Sequence, residues 1–455
     1  MKLTLEEIAR WCRGSVQPPT AKNVTVTGIS TDSRTIEAGQ LFIAISGLNV
    51  DGHKFIRHAA AQGAPAALVR KAGFTPPGMP FIKVRDSLKG LGQIAHGYRW
   101  RPPLIPWVGV TGSNGKTTTR EILSLILQTK WKVRTSKRNW NNFIGLPLSM
   151  LSEPDGAGVA VMELGTNHPG EIARLREILV PTIGIVTSTG SSHLEGFGSS
   201  QAVAKEKADI FGWLPQDGLA VYPADDRNAD ILASAVLHRA ATFALSGKAD
   251  AVAENIRLSE AGSTFSVNGL EVRLPLLGKH NVRNFLAAAL AARHLGITLE
   301  EAATAALHVK PVAGRQQIQH VPGGLKIVND TYNSNPDSLR AALEIFMDLP
   351  NGRKVAVVGD MLELGPESRK LHREAGLIAG MAGIDALLAF GTETVAMAES
   401  AQSNAHIMVR HFPSQNSLLM YLKDYLQPGD WVLVKGSRGM KMENIVNELH
   451  DWEPK

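Results

Sequence analysis

Lys116 and Thr117 stand in the stretch Thr111-Gly112-Ser113-Asn114-Gly115-Lys116-Thr117-Thr118-Thr119. An apolar run, Trp107-Val108-Gly109-Val110, precedes it, and a helix-like run from Arg120 to Gln128 follows. A glycine-rich turn from a strand into a helix points successive backbone N–H groups into one concavity. The helix N-terminus adds partial positive charge, which suits a chain of phosphates. Lys116 would place a full charge on the terminal phosphates and Thr117 a hydroxyl on a magnesium ion, with Gly112, Ser113, Asn114, Gly115 and Thr118 completing the cradle. The longer phosphate-loop pattern, G-x-x-x-x-G-K-[ST], would need a glycine where Val110 stands. What remains is the shorter G-x-x-G-K-T. The order of strand, loop, lysine, hydroxyl and helix points to a bound nucleoside triphosphate such as ATP.

Other polar residues follow apolar runs in the same way. Glu163 ends Val159-Ala160-Val161-Met162. A carboxylate at the end of a strand beside a phosphate loop can hold magnesium, and it can equally cap a helix or pair with a cation. His193 lies a few residues beyond Val186-Thr187-Ser188-Thr189-Gly190, where a hydrogen-bonded or exposed histidine is the ordinary alternative to a ligand. Lys205 and Lys207 fall on an amphipathic helix that reads most simply as a solvated face. Towards the C-terminus, Asn329-Asp330-Thr331-Tyr332-Asn333-Ser334-Asn335-Pro336, Gly359-Asp360-Met361-Leu362-Glu363 and Lys435-Gly436-Ser437-Arg438-Gly439 each follow a strand-like run. Three polar strand ends in one region favour a shared site over three separate turns. Near the N-terminus, Ser30-Thr31-Asp32-Ser33-Arg34 and Ser46-Gly47-Leu48-Asn49-Val50-Asp51-Gly52-His53 are polar loops at strand ends. On residue types alone, turn chemistry accounts for them as well as ligand binding does.

The elements that must position these residues suggest an α/β chain of three domains. Residues 1–103 read as a small α/β domain with strands at Val24 to Ile29, Leu41 to Ile45, Ala66 to Val69 and Phe81 to Val84. Arg101-Pro102-Pro103 is a natural linker, since proline stops the preceding helix. Over 104–311 strand-like and helix-like runs alternate, which predicts a mostly parallel sheet covered on both faces. Within that domain Ser263 to Leu277 alternates around Asn268-Gly269, a hairpin signal. Asn281 to Leu295 is an alanine-rich helix. Over 312–455 the rhythm restarts with strand-like runs at Leu325, Lys354, Ala386, His406 and Trp431, predicting a doubly wound, Rossmann-like domain. Its glycines do not form G-x-G-x-x-G, so a dinucleotide fingerprint is absent.

Composition narrows the classes. A chain of 455 residues with 44% apolar and 20% charged residues is globular and too long for one ordinary core. The charge of +6, from 48 basic and 42 acidic residues, fits a small anionic substrate at least as well as nucleic acid. With 6% aromatics and no basic run interleaved with them, nucleic-acid binding is not expected. One cysteine, Cys12, excludes an internal disulfide and a cysteine-rich metal site. Met1 to Arg10 carries Glu6 and Glu7 and does not read as a signal peptide, and no apolar run approaches the ~20 residues of a membrane span. A cytoplasmic protein without membrane insertion is expected. The absence of a long exposed apolar seam points to a monomer.

Taken together and in order, these stretches resemble the ATP-dependent muramyl ligases of bacterial peptidoglycan synthesis, over nearly the whole chain. That family carries the short loop form seen at Thr111 to Thr119. By the resemblance, Glu163 and His193 are the magnesium-binding acid and histidine. Lys207, in Glu206-Lys207-Ala208-Asp209-Ile210-Phe211, is the lysine carried as a metal-ligating carbamate, with Lys205 two positions away as its rival. Asn281 and Asn284, in Gly278-Lys279-His280-Asn281-Val282-Arg283-Asn284, are similar to an adenine-reading pair. Arg315 resembles an arginine that reaches the phosphates across a domain boundary, and Asp330 an acid on the ATP ribose. The resemblance also implies that Ser30, Asp32, Ser33, Arg34, Gly47, Asp51 and His53 bind a uridine-diphosphate sugar. Tyr332, Asn333, Asn335, Lys435, Ser437 and Arg438 would serve the substrates from the C-terminal domain.

Asp330-Thr331-Tyr332-Asn333-Ser334-Asn335-Pro336 is similar to the D-x-Y-N-A-N-P of the last ligase in the series, with Ser334 at a usual alanine. No Asp-Asn-Pro-Arg-like motif of the third-residue ligase is present. The implied partners are ATP, magnesium, UDP-N-acetylmuramoyl-tripeptide and D-alanyl-D-alanine, joined through an acyl phosphate in which Lys116, Lys207 and His193 take part. The alternatives are the sister ligase that adds the third peptide residue, or a phosphate-loop ATPase switch. The nucleotide would lie between the central and C-terminal domains, so closure with a hinge near residues 310–314 is expected to assemble the site.

Overall fold

The computed structural model describes residues 1–452 apart from 48, 138, 153, 191–193, 351 and 404–405. Its three main sheets follow one another along the chain. The first has five strands in the order Ser15–Gln17, Phe81–Lys83, Ala67–Val69, Gln40–Ile43, Gly28–Ser30, and all but the first pairing are parallel. The expected strand from Val24 to Ile29 is broken into two. Thr25–Val26 pairs with Leu3–Thr4 at the N-terminus, and only Gly28–Ser30 joins the sheet. A capping box at Thr4 and Glu7 starts the helix Leu5–Trp11, which the hydrophobic pattern left unassigned.

The second sheet has nine strands. Trp107–Thr111, which feeds the phosphate-loop stretch, lies between Val159–Glu163 and Ile183–Val186, both parallel to it. All five of its residues are buried, the signature of a strand covered on both faces. Beyond Ile183–Val186 come Leu219–Pro223, Ala240–Ala244 and Ala251–Ser259, then the antiparallel pair Gly262–Val267 and Leu270–Leu274. That pair is the expected hairpin. Asn268 and Gly269 both have positive φ, 50° and 82°, as a two-residue turn matching strand twist requires. The chain moves outward in opposite directions from Trp107–Thr111, so the carboxyl end of this strand is a topological switch point, where ligands sit in open α/β sheets.

The third sheet runs Gln317–His320, Lys326–Asp330, Trp431–Lys435, Lys354–Gly359, Ala386–Phe390, Met408–Phe412, antiparallel only at its first pairing. The late strand Trp431–Lys435 inserts between two earlier ones, and its register sets Lys435 beside Asp330. Two apolar layers cover the faces of this sheet. The first two sheets share a core instead. Leu3, Ile8, Leu91 and Ile94 of the N-terminal region pack into one cluster with Met162, Leu175 and Phe211 of the central one.

On the far face of the central sheet lies the alanine-rich helix Lys279–His294. Its small side chains let it approach the helix Lys116–Leu127 closely. Phe285 provides the bulk, fully buried and edge-on to Phe265 with ring centroids 5.5 Å apart. Phe285→Ala is therefore expected to cost about 3–5 kcal/mol, the usual range for emptying a buried aromatic site. Urea unfolding checks this, and an unchanged midpoint would contradict the packing described.

Candidate active site

The loop after Trp107–Thr111 turns through Gly112 and Gly115, at φ of 151° and 85°. A Cβ at Gly112 would lie 1.9 Å from Thr187 Oγ1, and one at Gly115 2.3 Å from Asn284 Oδ1, so neither position accepts a side chain. The neighbouring strand end holds the loop in place. Ser113 N donates to Ser188 O at 2.9 Å and Asn114 N to Ser188 Oγ at 3.0 Å. Lys116 opens the helix Lys116–Leu127 and folds back so that its Nζ donates to Gly112 O at 2.6 Å. Burial pulls its ammonium down from 10.5 to about 8, with Glu163 opposing that shift and Arg315 adding to it.

Glu163 ends the adjacent strand and is almost wholly buried. Its Oε1 lies 3.1 Å from Arg120 Nη1 in an ion pair but receives no directed hydrogen bond. Ser136 Oγ accepts from its backbone N at 2.9 Å.

Lys207 contradicts the solvated-face reading of its helix, Ser200–Ala208. It is 2% exposed, whereas Lys205, about 200° round the helix, is exposed. Its ammonium makes no hydrogen bond or ion pair among the described residues. Burial and the nearby charge of Lys116 push its pKa well down, only partly opposed by Glu206. The Glu206 carboxylate is itself occupied, accepting from Gly170 N and Ile172 N at 2.7 Å each and from Thr166 Oγ1 at 3.2 Å. His193 lies outside the described residues. Among those described, no group of three or more His, Cys, Asp or Glu could hold a metal by itself.

Across the cavity stand residues of the helix Lys279–His294 and of the C-terminal domain. Asn284 Nδ2 donates to Asn281 Oδ1 at 3.0 Å, and Asn281 Nδ2 to Leu277 O at 2.7 Å, which fixes both amides beside Gly115. Two contacts tie the C-terminal domain to the loop. Arg315 Nη2 donates to Thr117 Oγ1 at 3.1 Å while its guanidinium lies over the Tyr332 ring at 4.1 Å, and Asn335 Nδ2 donates to Asn114 Oδ1 at 3.0 Å. Behind them Lys435 Nζ donates to Asp330 Oδ2 at 2.7 Å and to Asn333 O at 2.9 Å. Ser437 Oγ donates to Ser334 O at 3.1 Å and accepts from Leu362 N at 2.8 Å. These groups surround one cavity of about 860 Å³, lined by the phosphate-loop residues, Glu163, Asn281, Asn284, Arg315, Asp330, Tyr332, Asn333, Asn335 and Lys435. Lys207, Ser437 and Arg438 are not in its lining. Arg438 is instead largely exposed and paired with Glu443 at 3.0 Å.

The N-terminal candidates form a separate group. Ser30, Asp32, Ser33, Arg34, Gly47, Asp51 and His53 do not line this cavity, to which that region contributes Leu88. Arg34 Nη2 pairs with Asp32 Oδ2 at 2.7 Å on the surface, and the hydrogen bonds from Arg34 hold the Asp32 carboxyl down to about 2. His53 is buried with both ring nitrogens engaged. Nδ1 lies 2.7 Å from Asp51 Oδ1, and Nε2 accepts from Arg70 N and Lys71 N at 3.0 and 3.2 Å. His53 thus organises its loop from within.

The residue-type reading missed one stretch of the cavity wall. Asn139, Asn141 and Asn142, after the strand Val133–Thr135, line it together with Thr166, Asn167 and His168. Three asparagines in four residues were the available signal, but asparagine is so common in turns that it passes for turn chemistry.

A short glycine loop under a half-buried lysine, faced by an acid on the next strand and closed by a second α/β domain, defines a nucleotide-dependent enzyme. Three domain models cover the chain: Mur ligase family, catalytic domain over residues 25–99, Mur ligase middle domain over 110–292, and Mur ligase, glutamate ligase domain over 314–438. The UDP-N-acetylmuramoyl-tripeptide–D-alanyl-D-alanine ligase of Bacillus subtilis is 35% identical over 454 residues, 99% of this chain and 98% of that protein. A crystal structure of MurF from Acinetobacter baumannii superposes with a TM-score of 0.92 at 29% identity, covering 99% of each chain. MurF ligase from Thermotoga maritima in complex with ADP gives 0.84 at 28% identity, covering 93% of this chain and 97% of that one. The chain belongs to the Mur ligase family.

The depressed Lys116 gives a pH dependence of definite sign. The free protein carries the Lys116 ammonium below about pH 8 and loses it above. A bound phosphate chain favours the charged form, so above pH 8 binding must take up a proton. ATP affinity is then expected to be level below pH 7 and to fall by up to about tenfold per unit above 8. Calorimetric titration across pH 6.5 to 9.5 checks this. An affinity level to pH 9.5, as expected of Lys116→Arg, would contradict it.

Proposed function

We propose that this chain is the ATP-dependent, ADP-forming ligase that joins D-alanyl-D-alanine to UDP-N-acetylmuramoyl-tripeptide in peptidoglycan precursor synthesis. The observation that carries the reading is the facing of the Lys116 loop and Glu163 by Arg315, Asp330, Asn335 and Lys435 across one cavity. The near full-length match to ligases named for that reaction agrees with it. No helix among the described residues is long and apolar enough to cross a membrane, which suits work on a water-soluble precursor in the cytoplasm. We take the protein to act as a monomer, with domains divided near residues 103 and 311.

The reaction needs two anions brought together. The tripeptide carboxylate attacks the γ-phosphorus of ATP, the bond to the β–γ bridging oxygen breaks, and ADP leaves with its electron pair. Lys116 and the amides of Ser113 to Thr118 would take up the charge on the transferring group. The amine of D-alanyl-D-alanine then attacks the acyl carbon, a C–N bond forms, and the C–O bond to phosphate breaks. Asn281 and Asn284 present amide edges suited to adenine. Asp330, which accepts a hydrogen bond from Lys435 Nζ, offers a carboxylate oxygen to a ribose hydroxyl. Arg315 reaches the phosphate loop from the other domain, so the site is complete only with the two domains together. The loops at Ser30–Arg34 and Gly47–His53 would hold the uridine-diphosphate end, and Tyr332, Asn333, Asn335, Ser437 and Arg438 the peptide end.

The residues present fit magnesium and a modified Lys207. Glu163 Oε1 is buried without a directed hydrogen bond, and Lys207 is buried without an ion-pair partner among the described residues. Thr117 and Glu163 would hold one magnesium, and His193 with a Lys207 carbamate a second. The ions would supply the charge neutralisation that lets two anions meet. Carbamate formation needs a neutral amine, which the burial of Lys207 and the nearby charge of Lys116 favour.

Two measurements test this reading. Phosphate release from ATP should require both UDP-N-acetylmuramoyl-tripeptide and D-alanyl-D-alanine, with a pentapeptide product by mass. Release that needs a single amino acid instead would move the protein to a sister ligase, and release with neither substrate to a switch or motor. Protein equilibrated with 13C-bicarbonate should show one carbamate carbon resonance that Lys207→Ala abolishes and Lys205→Ala keeps. The opposite pattern would transfer the assignment to Lys205.

A further inference from the structure

A second cavity, of about 340 Å³, opens where the N-terminal and central domains meet. It is lined by Lys2, Arg99, Arg101, Trp107, Arg134 and Asp155, among others. Trp107 begins the strand whose other end leads into the phosphate loop. At 3.3 Å per residue the two sites are separated by about 13 Å of sheet and open at opposite ends of it. Nothing in the ligase reaction uses this end.

The charges of the lining do not balance. Among the described residues it carries four basic side chains, the Met1 ammonium and one acid, Asp155, which pairs with Met1 at 2.7 Å. Arg134 is 3% exposed and spends its Nη groups on neutral acceptors: Met150 O at 2.6 Å, Pro154 O at 3.0 Å and Tyr98 Oη at 3.1 Å. Arg99 is 5% exposed. Its Nε donates to Val180 O at 3.2 Å, and its plane lies 4.9 Å from the Trp100 ring and 5.6 Å from Trp107. Its two Nη groups have no hydrogen-bond or carboxylate partner among the described residues. Burial with no acid beside it pulls the Arg99 guanidinium down to about 10, so it stays charged at neutral pH. The Nη atoms are not among the fully buried polar atoms without partners, so their N–H donors open to the cavity, where an acceptor can meet them. Arg101, exposed at the mouth with Nη1 on Lys2 O at 2.9 Å, adds a further cation without adding an acceptor.

We propose that this cavity is a binding site for a phosphate-type oxyanion, held by the free Nη edge of Arg99 with Arg101 and Lys2 at the rim. An ionised oxyanion is acceptor-only and matches the fork of a guanidinium, which a water molecule or an apolar ligand would not. Its position across residues 98–107 would pin the linker between the first two domains against the central sheet. Free phosphate and a phosphate carried on a small organic group share this chemistry.

The test titrates the full chain calorimetrically with inorganic phosphate, and separately with methyl phosphate, while saturating ADP fills the Lys116 loop. One site is expected, abolished by Arg99→Gln and weakened about fivefold or more by the charge reversal Arg101→Glu, which alters only an exposed residue. Equal binding of the two probes would indicate a group-borne phosphate, and binding of inorganic phosphate alone the free ion, and either supports the site. Absence of binding to the unaltered chain overturns the proposal, as does binding that Arg101→Glu leaves unchanged.

Discussion

Positive charge is buried around the phosphate loop in excess of the acids that could balance it. Lys116 and Lys207 are both driven towards neutrality by burial, Arg315 enters from a second domain, and Glu163 is shared with Arg120. A protein that merely folded would neutralise such groups or leave them in water. Their cost makes sense where a chain of phosphates and a carboxylate will arrive. Each of those anions is expensive to desolvate alone and repels the others. On the proposed reading these cations form an electrostatic template set up before the reactants bind, which is how a protein lowers a barrier between two anions.

The fold supplies that template from the ends of strands. The carboxyl end of Trp107–Thr111 carries the loop, its neighbour carries Glu163, and Lys326–Asp330 and Trp431–Lys435 of the third sheet end in Asp330 and Lys435. Both sheets turn their switch-point ends towards one cavity. The bonds that cross it, Asn335 to Asn114 and Arg315 to Thr117, are polar, and elsewhere the two domains meet through Glu260 with Lys326 and His320 and through Leu277. Such an interface can be remade as ligands enter and leave, unlike the shared apolar core that joins the first two domains.

Much of this was legible in the residues because it rests on local rules. A glycine loop between strand and helix, an acid at the end of an apolar run and an Asn-Gly hairpin each declare themselves within ten residues. What escaped reading depends on packing. Lys205 and Lys207 are equivalent in composition, and only the face their helix presents to the sheet separates them. The strand Ala251–Ser259 was hidden because its register shifts between Glu254 and Arg257, which breaks the alternation a strand would show. Asn139, Asn141 and Asn142 looked like turn residues until the fold set them on the cavity wall. His53 reads from residue types as a loop histidine, and only the fold shows that it joins Asp51 of its own loop to the Arg70 and Lys71 amides of another. Arg99 drew no notice at the end of the helix Ser87–Arg99, where nothing in the sequence revealed its burial.

The central claim is that the energy of ATP passes through a mixed anhydride with the substrate carboxylate before the amide forms. The most direct measurement supplies UDP-N-acetylmuramoyl-tripeptide with both oxygens of its terminal carboxylate labelled with 18O, together with ATP and D-alanyl-D-alanine, and weighs the released phosphate. Attack by that carboxylate on phosphorus requires one 18O to leave in phosphate for each amide formed. Phosphate free of label, or carrying oxygen from labelled water instead, would mean that ATP is hydrolysed separately from the peptide chemistry and would contradict the account.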